Sequence, residues 1–154
     1  MAAIGQHPIS GSTSEITNTV GDSIGGAVWV PPGRPAIPEG AEESFNARVA
    51  EIAGADLDRV VAVTSLMEEH HPQEICAYLW FVGVEPAMQG RGYGSALMAP
   101  MLRRCDAQRT PAYLEATTTR SRDLYFRHGF QVVTELMVPG GPPMWSMWRE
   151  PLGS

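Results

Sequence analysis

An apolar run followed at once by a glycine-rich segment restricts most strongly how this chain can fold. The run "ICAYLWFVGV" (75–84) is almost wholly apolar, which is typical of a strand buried on both faces of a sheet. The segment "QGRGYGSA" (89–96) follows, and the residues after it predict a helix over 95–108. Glycine inside an element costs about 0.5–1 kcal/mol relative to alanine. The alternating glycines therefore indicate a turn that needs bare backbone.

The segments before the apolar run predict a hairpin and an interrupted helix. "EITNTV" and "SIGGAVWV" are typical of two strands joined by a tight turn at Gly-Asp. Residues 41–71 have helical periodicity that "GAD" interrupts, and Asp56 is expected to cap the second half. The apolar faces of the two halves are predicted to hold Phe45, Val49 and Ile52, then Leu57, Val60, Val61 and Met67.

The segments after the glycines complete an α/β (α+β) pattern with a mixed central sheet. Pro100 is expected to kink the helix over 95–108, "AYLEA" predicts a strand, and Gly129 is expected to end the helix "RDLYFRHG". "FQVVTELMV" and "MWSMWRE" predict a last strand pair. We expect one domain over 15–151, a flexible arm over 1–14 and a tail over 152–154.

The composition limits the partners of the chain. A net charge of −6 argues against a nucleic acid held by phosphate contacts, and no apolar run reaches the roughly 20 residues that span a membrane. The first residues lack the basic and apolar regions of a secretory signal, and Cys76 and Cys105 lie in apolar stretches as reduced thiols would. These features favour a cytoplasmic protein. His70 and His71 end a helix near Glu74 without a third metal ligand close by, so we expect no metal site.

A strand, a glycine-rich loop and a helix together suit a phosphorylated ligand. The first amides of a helix are unpaired and carry a partial positive charge, and glycines let them turn toward an anion. The ATP-binding P-loop requires Gly-Lys, which this segment lacks. The dinucleotide pattern Gly-x-Gly-x-x-Gly fails as well, because Ser95 or Leu97 stands at its last position.

The spacing Gln/Arg-x-x-Gly-x-Gly/Ala does fit, with Gln89, Gly92 and Gly94. Here "VGVEPAMQGRGYGSALMAPML" resembles the central motif of the GNAT superfamily of acyl-CoA-dependent N-acetyltransferases. "LEATTTRSRDLYFRHGF" is similar to a second family segment, which ends in Tyr-x-x-x-Gly-Phe. The likeness runs from about Glu15 to Pro151. It looks closest to the puromycin N-acetyltransferase type, through the insert ending "HHPQE", the "YLEA" strand and the ending "PGGPPMWSMWREP".

The resemblance implies the acetyl-CoA site. The strand would separate from its neighbour to open a slot for the thioester, its backbone would pair with the pantetheine arm, and Gly83 would permit a bulge. The loop amides would hold the pyrophosphate, with Arg91 either adding charge or lying solvated at the surface. The implied cofactor-binding residues are Val82, Gly83, Val84, Gln89, Gly90, Arg91, Gly92, Tyr93, Gly94, Ser95 and Ser121.

The resemblance also implies two catalytic residues. Acyl transfer to an amine needs a base for the amine and a proton for the leaving thiolate. Tyr125 matches the family's proton donor, the alternative being a tyrosine of the core. Glu115 either is the base, with a pKa raised by burial, or forms a salt bridge with Arg120 or Arg122. Glu74 and His71 are lesser candidates for the base.

Two departures from the family pattern affect the expected function. The resemblance implies an Asn four residues before the tyrosine, where Ser121 stands and can make fewer hydrogen bonds. The family also has a strand and two helices before its first hairpin, where this sequence has about 14 polar residues. The missing acceptor wall would come from a second subunit in a homodimer or from the insert at 41–71. We expect acetylation of a small-molecule amine, among which antibiotics are candidates; the alternative is a catalytically inactive acyl-CoA-binding module.

Overall fold

A computed structural model describes residues 4–6, 16–20 and 24–153. The described strands are β1 (Ile4–Gln6), β2 (Ile16–Val20), β3 (Gly25–Val30), β4 (Ala77–Val84), β5 (Ala112–Ala116), β6 (Gln131–Met137) and β7 (Pro143–Arg149). The described α-helices are α1 (Glu42–Ala53), α2 (Leu57–His70), α3 (Tyr93–Gln108) and α4 (Thr119–Arg127). Short 3-10 turns occupy Gly54–Asp56 and Pro86–Met88. The predicted α/β class and the order of its elements are confirmed.

The strands form one mixed sheet in the order β1-β2-β3-β4-β5-β7-β6. Among the described strands, the one parallel pair is β4 with β5, and it is short: Ala77 pairs with Ala112 and Tyr78 with Tyr113. Beyond these residues the two strands are not paired, so β4 keeps an unpaired edge along its second half. The separation expected from the resemblance is therefore present.

Helices α3 and α4 cover one face of the sheet and bury the larger core. The inward residues predicted for α3, Leu97, Met101, Leu102 and Cys105, are all buried. They pack with sheet residues that include Trp29, Leu79, Leu114 and Met147. Each large apolar side chain of this kind stabilises the fold by about 1.5–3 kcal/mol. The α3 helix begins at Tyr93, earlier than predicted, and runs on through Pro100 to Gln108.

The opposite face of the sheet holds a smaller cluster of Val30, Cys76, Tyr78 and Tyr113. Helices α1 and α2 have no fully buried residue, and Ile52 is 71% and Val61 51% exposed. Both residues lie in helices, as predicted, but these parts of the apolar faces are exposed to solvent. Asp56 does precede α2, but its side chain makes no capping hydrogen bond, so the predicted cap is wrong. The turn Gly54–Asp56 joins the two helices instead.

Strand β4 contains a bulge, though not at Gly83. Phe81 pairs with Val28 and Leu79 with Trp29, which leaves Trp80 as the extra residue of β4. Gly83 pairs regularly with Gly26, so the bulge expected at Gly83 is wrong.

A glycine is needed close to this region at Gly25. A Cβ atom there would lie 2.5 Å from the Gly83 carbonyl oxygen, too close for any larger residue. Glycine at position 25 therefore leaves room for the Gly83 carbonyl on the neighbouring strand.

The burial of β4 also differs from the prediction. Ala77, Tyr78 and Leu79 are buried, but the second half of the strand alternates between half-buried and exposed residues. The strand is therefore buried on both faces over its first half alone. The alternation arises because Val82 and Val84 face the larger core while Phe81 and Gly83 face solvent.

Two predicted features, the N-terminal arm and the turn at Gly21-Asp22, lie largely outside the described residues. The arm predicted over 1–14 was not expected to contain a strand, yet β1 pairs antiparallel with β2, Ile4 opposite Val20. The rest of that arm, the turn at Gly21-Asp22 and Ser154 lie outside the described residues. The hairpin itself is confirmed, since β2 pairs antiparallel with β3.

Candidate active site

The glycine loop and the start of α3 form a cradle of backbone amides. Gly90 and Gly92 have φ angles of 75° and 84°, a left-handed conformation that glycine adopts without strain. The Ala96 amide donates the first bond of the helix, to the Gly92 carbonyl at 3.0 Å. The amides of Tyr93, Gly94 and Ser95 therefore precede the helical hydrogen bonds and are free to bind an anion.

One face of α4 supports this cradle. Arg120, Leu124 and His128 are spaced by four residues and so lie along one side of the helix. The Arg120 guanidinium donates to the Gln89 side chain at 3.3 Å, and His128 Nε2 lies 2.8 Å from the Ser95 hydroxyl. A Cβ atom on Gly94 would lie 3.2 Å from a Leu124 methyl group, so a larger residue at 94 would require Leu124 to shift by a few tenths of an ångström.

Gln89 connects the cradle to the end of β4. Its side-chain amide donates to the Val84 carbonyl at 3.1 Å. Val82 and Val84 pack their side chains against the larger core, as does Tyr93. Val82, Gly83 and Val84 pair with β3 on one side, and on the other side β5 no longer pairs with them. One acceptor, the Val84 carbonyl, is already in use.

Glu115 lies on β5, two residues beyond the last pair with β4. Its Oε2 atom accepts a hydrogen bond from the Tyr78 hydroxyl at 2.8 Å, while Oε1 is buried without a partner among the described residues. Burial raises the pKa of Glu115, and the hydrogen bond from Tyr78, which favours the ionised form, opposes that rise. A half-buried carboxyl with a raised pKa and a free oxygen is suited to accept a proton.

Aromatic rings and His71 surround this carboxyl. The His71 ring meets the rings of Tyr78 and Tyr113 edge-on, each at a centroid distance of 5.0 Å. The His71 Nδ1 atom lies 3.1 Å from the Pro72 carbonyl oxygen. His71 thus lies beside the tyrosine that bonds Glu115. Glu74 is exposed, which makes it a weaker candidate for a base than Glu115.

Tyr125 lies on α4 and belongs to the larger core. It is buried, and its ring meets that of Phe130 edge-on at a centroid distance of 6.0 Å. Burial raises its pKa to about 12, with no charge or hydrogen bond contributing. The hydroxyl therefore keeps its proton at neutral pH, as a proton donor must.

Comparison with known proteins decides which family this arrangement represents. A profile described as "Acetyltransferase (GNAT) family" matches residues 29–130, which include the end of β3, all of β4, the glycine loop, Glu115 and Tyr125. The chain belongs to the GNAT acetyltransferase family. Members of this family use acyl-CoA.

Individual relatives agree with this membership. An uncharacterized N-acetyltransferase of Schizosaccharomyces pombe is 40% identical over 53 residues, which are 34% of this chain and 22% of that protein. Histone acetyltransferase HPA2 and related acetyltransferase from Corynebacterium glutamicum is 25% identical with a TM-score of 0.64, over 93% of this chain and 68% of its own. A Drosophila melanogaster polyamine N acetyltransferase shares the fold at 16% identity with a TM-score of 0.56, over 86% and 72% of the two chains.

The two arginines proposed as partners of Glu115 lie elsewhere in this GNAT chain. Arg120 bonds Gln89, and Arg122 lies over the Trp145 ring with its guanidinium carbon 4.6 Å from the centroid. Arg122 also approaches Asp123 at 3.6 Å. The salt-bridge alternative for Glu115 is therefore wrong, and its partner is Tyr78.

Ser121 has a structural part in the GNAT chain. Its side chain and that of Thr118 form a capping box at the start of α4, with the Ser121 hydroxyl donating to the Thr118 carbonyl at 2.9 Å. The hydroxyl also accepts from the Thr118 amide at 3.2 Å. Little of its bonding capacity is left for a ligand, which weakens the expectation that Ser121 binds pantetheine.

Arg91 and Arg120 give this GNAT cradle its positive side chains. Arg91 is exposed in the loop, and Arg120 reaches within 3.8 Å of the position of a Cβ atom on Gly90. Arg120 was not predicted as a cradle residue, because Gln89 lies 31 positions before it in the sequence. The sequence signal that could have identified Arg120 was its four-residue spacing from Leu124, which places both residues on one side of a helix. No helix in the described part of the chain is long and apolar enough to cross a membrane.

Proposed function

We propose that this GNAT chain transfers the acetyl group of acetyl-CoA to a primary amine of a small molecule. One observation carries the proposal: the sheet opens between β4 and β5, and the half-buried Glu115 carboxyl with a free oxygen lies just beyond the last pair. An extended ligand can pair with the unpaired edge of β4 in this gap. The Glu115 carboxyl, which lies where the two strands separate, can then act on the reactive group of that ligand.

The residues of the gap suit acetyl-CoA. The unpaired amides of Tyr93, Gly94 and Ser95 and the charge of Arg120 would hold the pyrophosphate. The open edge of β4 from Val82 to Val84 would pair with the pantetheine arm as an added strand does. When bound, acetyl-CoA supplies an acetyl group activated as a thioester.

Glu115 and Tyr125 would move the two protons of the reaction. The ionised carboxyl of Glu115 takes a proton from the amine nitrogen as that nitrogen bonds to the acetyl carbon. The carbon–sulfur bond breaks, and the Tyr125 hydroxyl donates a proton to the leaving sulfur. A positioned base or acid contributes about 10²–10⁴-fold to such a rate.

Resemblance supports a finer proposal about the acceptor. The insert ending "HHPQE", the strand "YLEA" and the ending "PGGPPMWSMWREP" resemble the puromycin N-acetyltransferase type, so antibiotics with a primary amine are the first acceptors to test. The net charge of −6 favours a substrate that carries an ammonium group. A homodimer stays a prediction, which the mass of the protein in solution would test.

Calorimetric titration with acetyl-CoA comes first. The expected result is saturable binding, and absence of binding would contradict the proposal. Thiol release from acetyl-CoA is then measured across a panel of primary amines that includes puromycin. Binding without release by any amine would favour the inactive acyl-CoA-binding module instead.

Two substitutions test the proposed chemistry. Glu115→Gln keeps an oxygen that can accept from Tyr78, and Tyr125→Phe keeps the ring in the core. Each is expected to lower kcat by about 10²-fold or more while leaving acetyl-CoA affinity near that of the parent. Glu135→Gln, on the exposed side of β6, is the matched control and should change neither quantity. Both variants retaining full activity would rule out these roles.

A further inference from the structure

The bulge in β4 brings two large aromatic residues to the same face of the sheet. In a regular strand, Trp80 and Phe81 would point to opposite faces. The extra residue breaks this alternation, so Val82 and Val84 pack on the α3 face while Trp80 packs against the cluster of Tyr78 and Tyr113. The Trp80 and Phe81 rings meet at a centroid distance of 4.9 Å.

A third ring extends this pair. Phe45 of α1 lies 5.9 Å from Trp80 between ring centroids. Phe45, Trp80 and Phe81 thus form a continuous row, here called the aromatic wall. Beside it is a cavity of about 330 Å³ lined by Trp80, Phe45 and apolar residues of the loop before α1, including Ile37 and Pro38.

The aromatic wall is exposed to solvent at a position in the sheet where buried side chains would be expected. Strand β4 is the middle strand of the described sheet, yet Phe81 is 59% exposed. Phe45 is exposed as well. A large apolar side chain left in water forgoes about 1.5–3 kcal/mol of burial. Contiguous exposed apolar surface of this kind marks binding sites.

The aromatic wall shares its sheet face with the proposed base. Glu115 is bonded to Tyr78, which lies two residues before Trp80 on β4. A ligand seated on the wall can therefore place a nitrogen toward the carboxyl, and a carboxylate attracts an ammonium group. Aromatic faces attract both other rings and cations. Arg48, which lines the cavity, is paired with Glu51 at 2.6 Å and offers little attraction to an acidic ligand.

We infer that the aromatic wall binds the ring of an aromatic primary amine and that this ring selects the acceptor. The inference rests on the proposed function, since the amine is the acceptor of the same reaction. The wall holds the ring, and the ammonium group points to Glu115. An aliphatic amine of the same shape loses the ring contacts and is a poorer substrate.

Two amines of matched shape test the inference. In the parent, kcat/KM for 2-phenylethylamine should exceed that for 2-cyclohexylethylamine by about 5- to 10-fold. Phe81→Leu keeps an apolar side chain but removes one of the three rings, so it should lower this ratio, whereas Phe81→Tyr should preserve it. Val133→Ala is the control, because Val133 is similarly exposed, at 63%, on the distant strand β6. Equal ratios in the parent and in Phe81→Leu would overturn the inference.

Binding measurements separate this inference from the proposed reaction. Each amine is titrated calorimetrically into the protein saturated with coenzyme A. If no amine is acetylated, the proposed function fails, and the titrations alone decide whether the wall binds rings. Tighter binding of 2-phenylethylamine that weakens in Phe81→Leu supports the wall. Equal binding of the two amines, or none, refutes it. Thermal unfolding of each variant confirms that Phe81→Leu still folds.

Discussion

Replacing Tyr78 by phenylalanine should shift the pH dependence of acetyl transfer in a defined direction. The Tyr78 hydroxyl donates to Glu115 Oε2 at 2.8 Å. Hydrogen bonds to charged groups contribute about 1.5–3 kcal/mol, and one pKa unit corresponds to about 1.4 kcal/mol. Because this bond favours the ionised carboxyl, its loss should raise the pKa of Glu115 by about one to two units. Phenylalanine keeps the ring that packs against His71 and Tyr113.

The expected readout is the acidic limb of the rate profile. A base works in its ionised form, so activity falls as the pH drops through the pKa of Glu115. In Tyr78→Phe this fall should begin about one to two pH units higher, with the plateau at high pH close to that of the parent. The assay is thiol release from acetyl-CoA with a saturating amine, measured from about pH 5 to pH 9.

A double variant shows whether the shift passes through Glu115. In a Glu115→Gln background the limb should be absent, and adding Tyr78→Phe should then change nothing, as expected for two residues acting through one contact. The reasoning is refuted if Tyr78→Phe leaves the limb where it is in the parent. It is also refuted if the same shift persists without Glu115, since another group would then be titrating.

Two further predictions concern the cradle and the core. Gly92→Ala should weaken acetyl-CoA binding in calorimetry, because an alanine held at a φ of 84° carries about 1–2 kcal/mol of backbone strain, although its Cβ atom has free space. Unchanged affinity would contradict the cradle. Asp106→Asn should lower the free energy of unfolding in urea by about 1.5–3 kcal/mol, because Asp106 binds the buried Arg149 through both oxygens at 2.7 and 2.9 Å. The Arg149 hydrogen bonds lower the pKa of Asp106, so the stability contributed by this pair is present at neutral pH and is lost as the pH falls through the lowered pKa. Equal urea unfolding curves for the parent and Asp106→Asn would refute this prediction.

Local patterns predicted the elements that carry the site. Glycine spacing located the cradle, and an almost wholly apolar run located β4. The left-handed φ angles of Gly90 and Gly92 supply the physical reason for the first pattern. These predictions succeeded because each depends on neighbouring residues, whose conformational preferences act within a few positions.

Features that depend on distant strands were missed or misplaced. The bulge was expected at Gly83, where the backbone is most permissive, but it lies at Trp80 because the register with Val28 and Trp29 sets it. For the same reason the aromatic wall was not foreseen, since ordinary alternation separates Trp80 from Phe81. The partner of Glu115 was also wrong, because Tyr78 is 37 residues away in sequence and adjacent in the sheet.

Because one face of α4 supports the cradle, the chain should not tolerate insertions or deletions within this helix. Arg120, Leu124 and His128 contact the loop at successive turns, and Tyr125 lies on the same helix. Inserting or deleting a single residue within α4 would rotate one end against the other by about 100°. Either the contact with Gln89 or the contact with Ser95 would then be lost, and Tyr125 would turn away from its place in the core. The helix α4 must therefore keep its length.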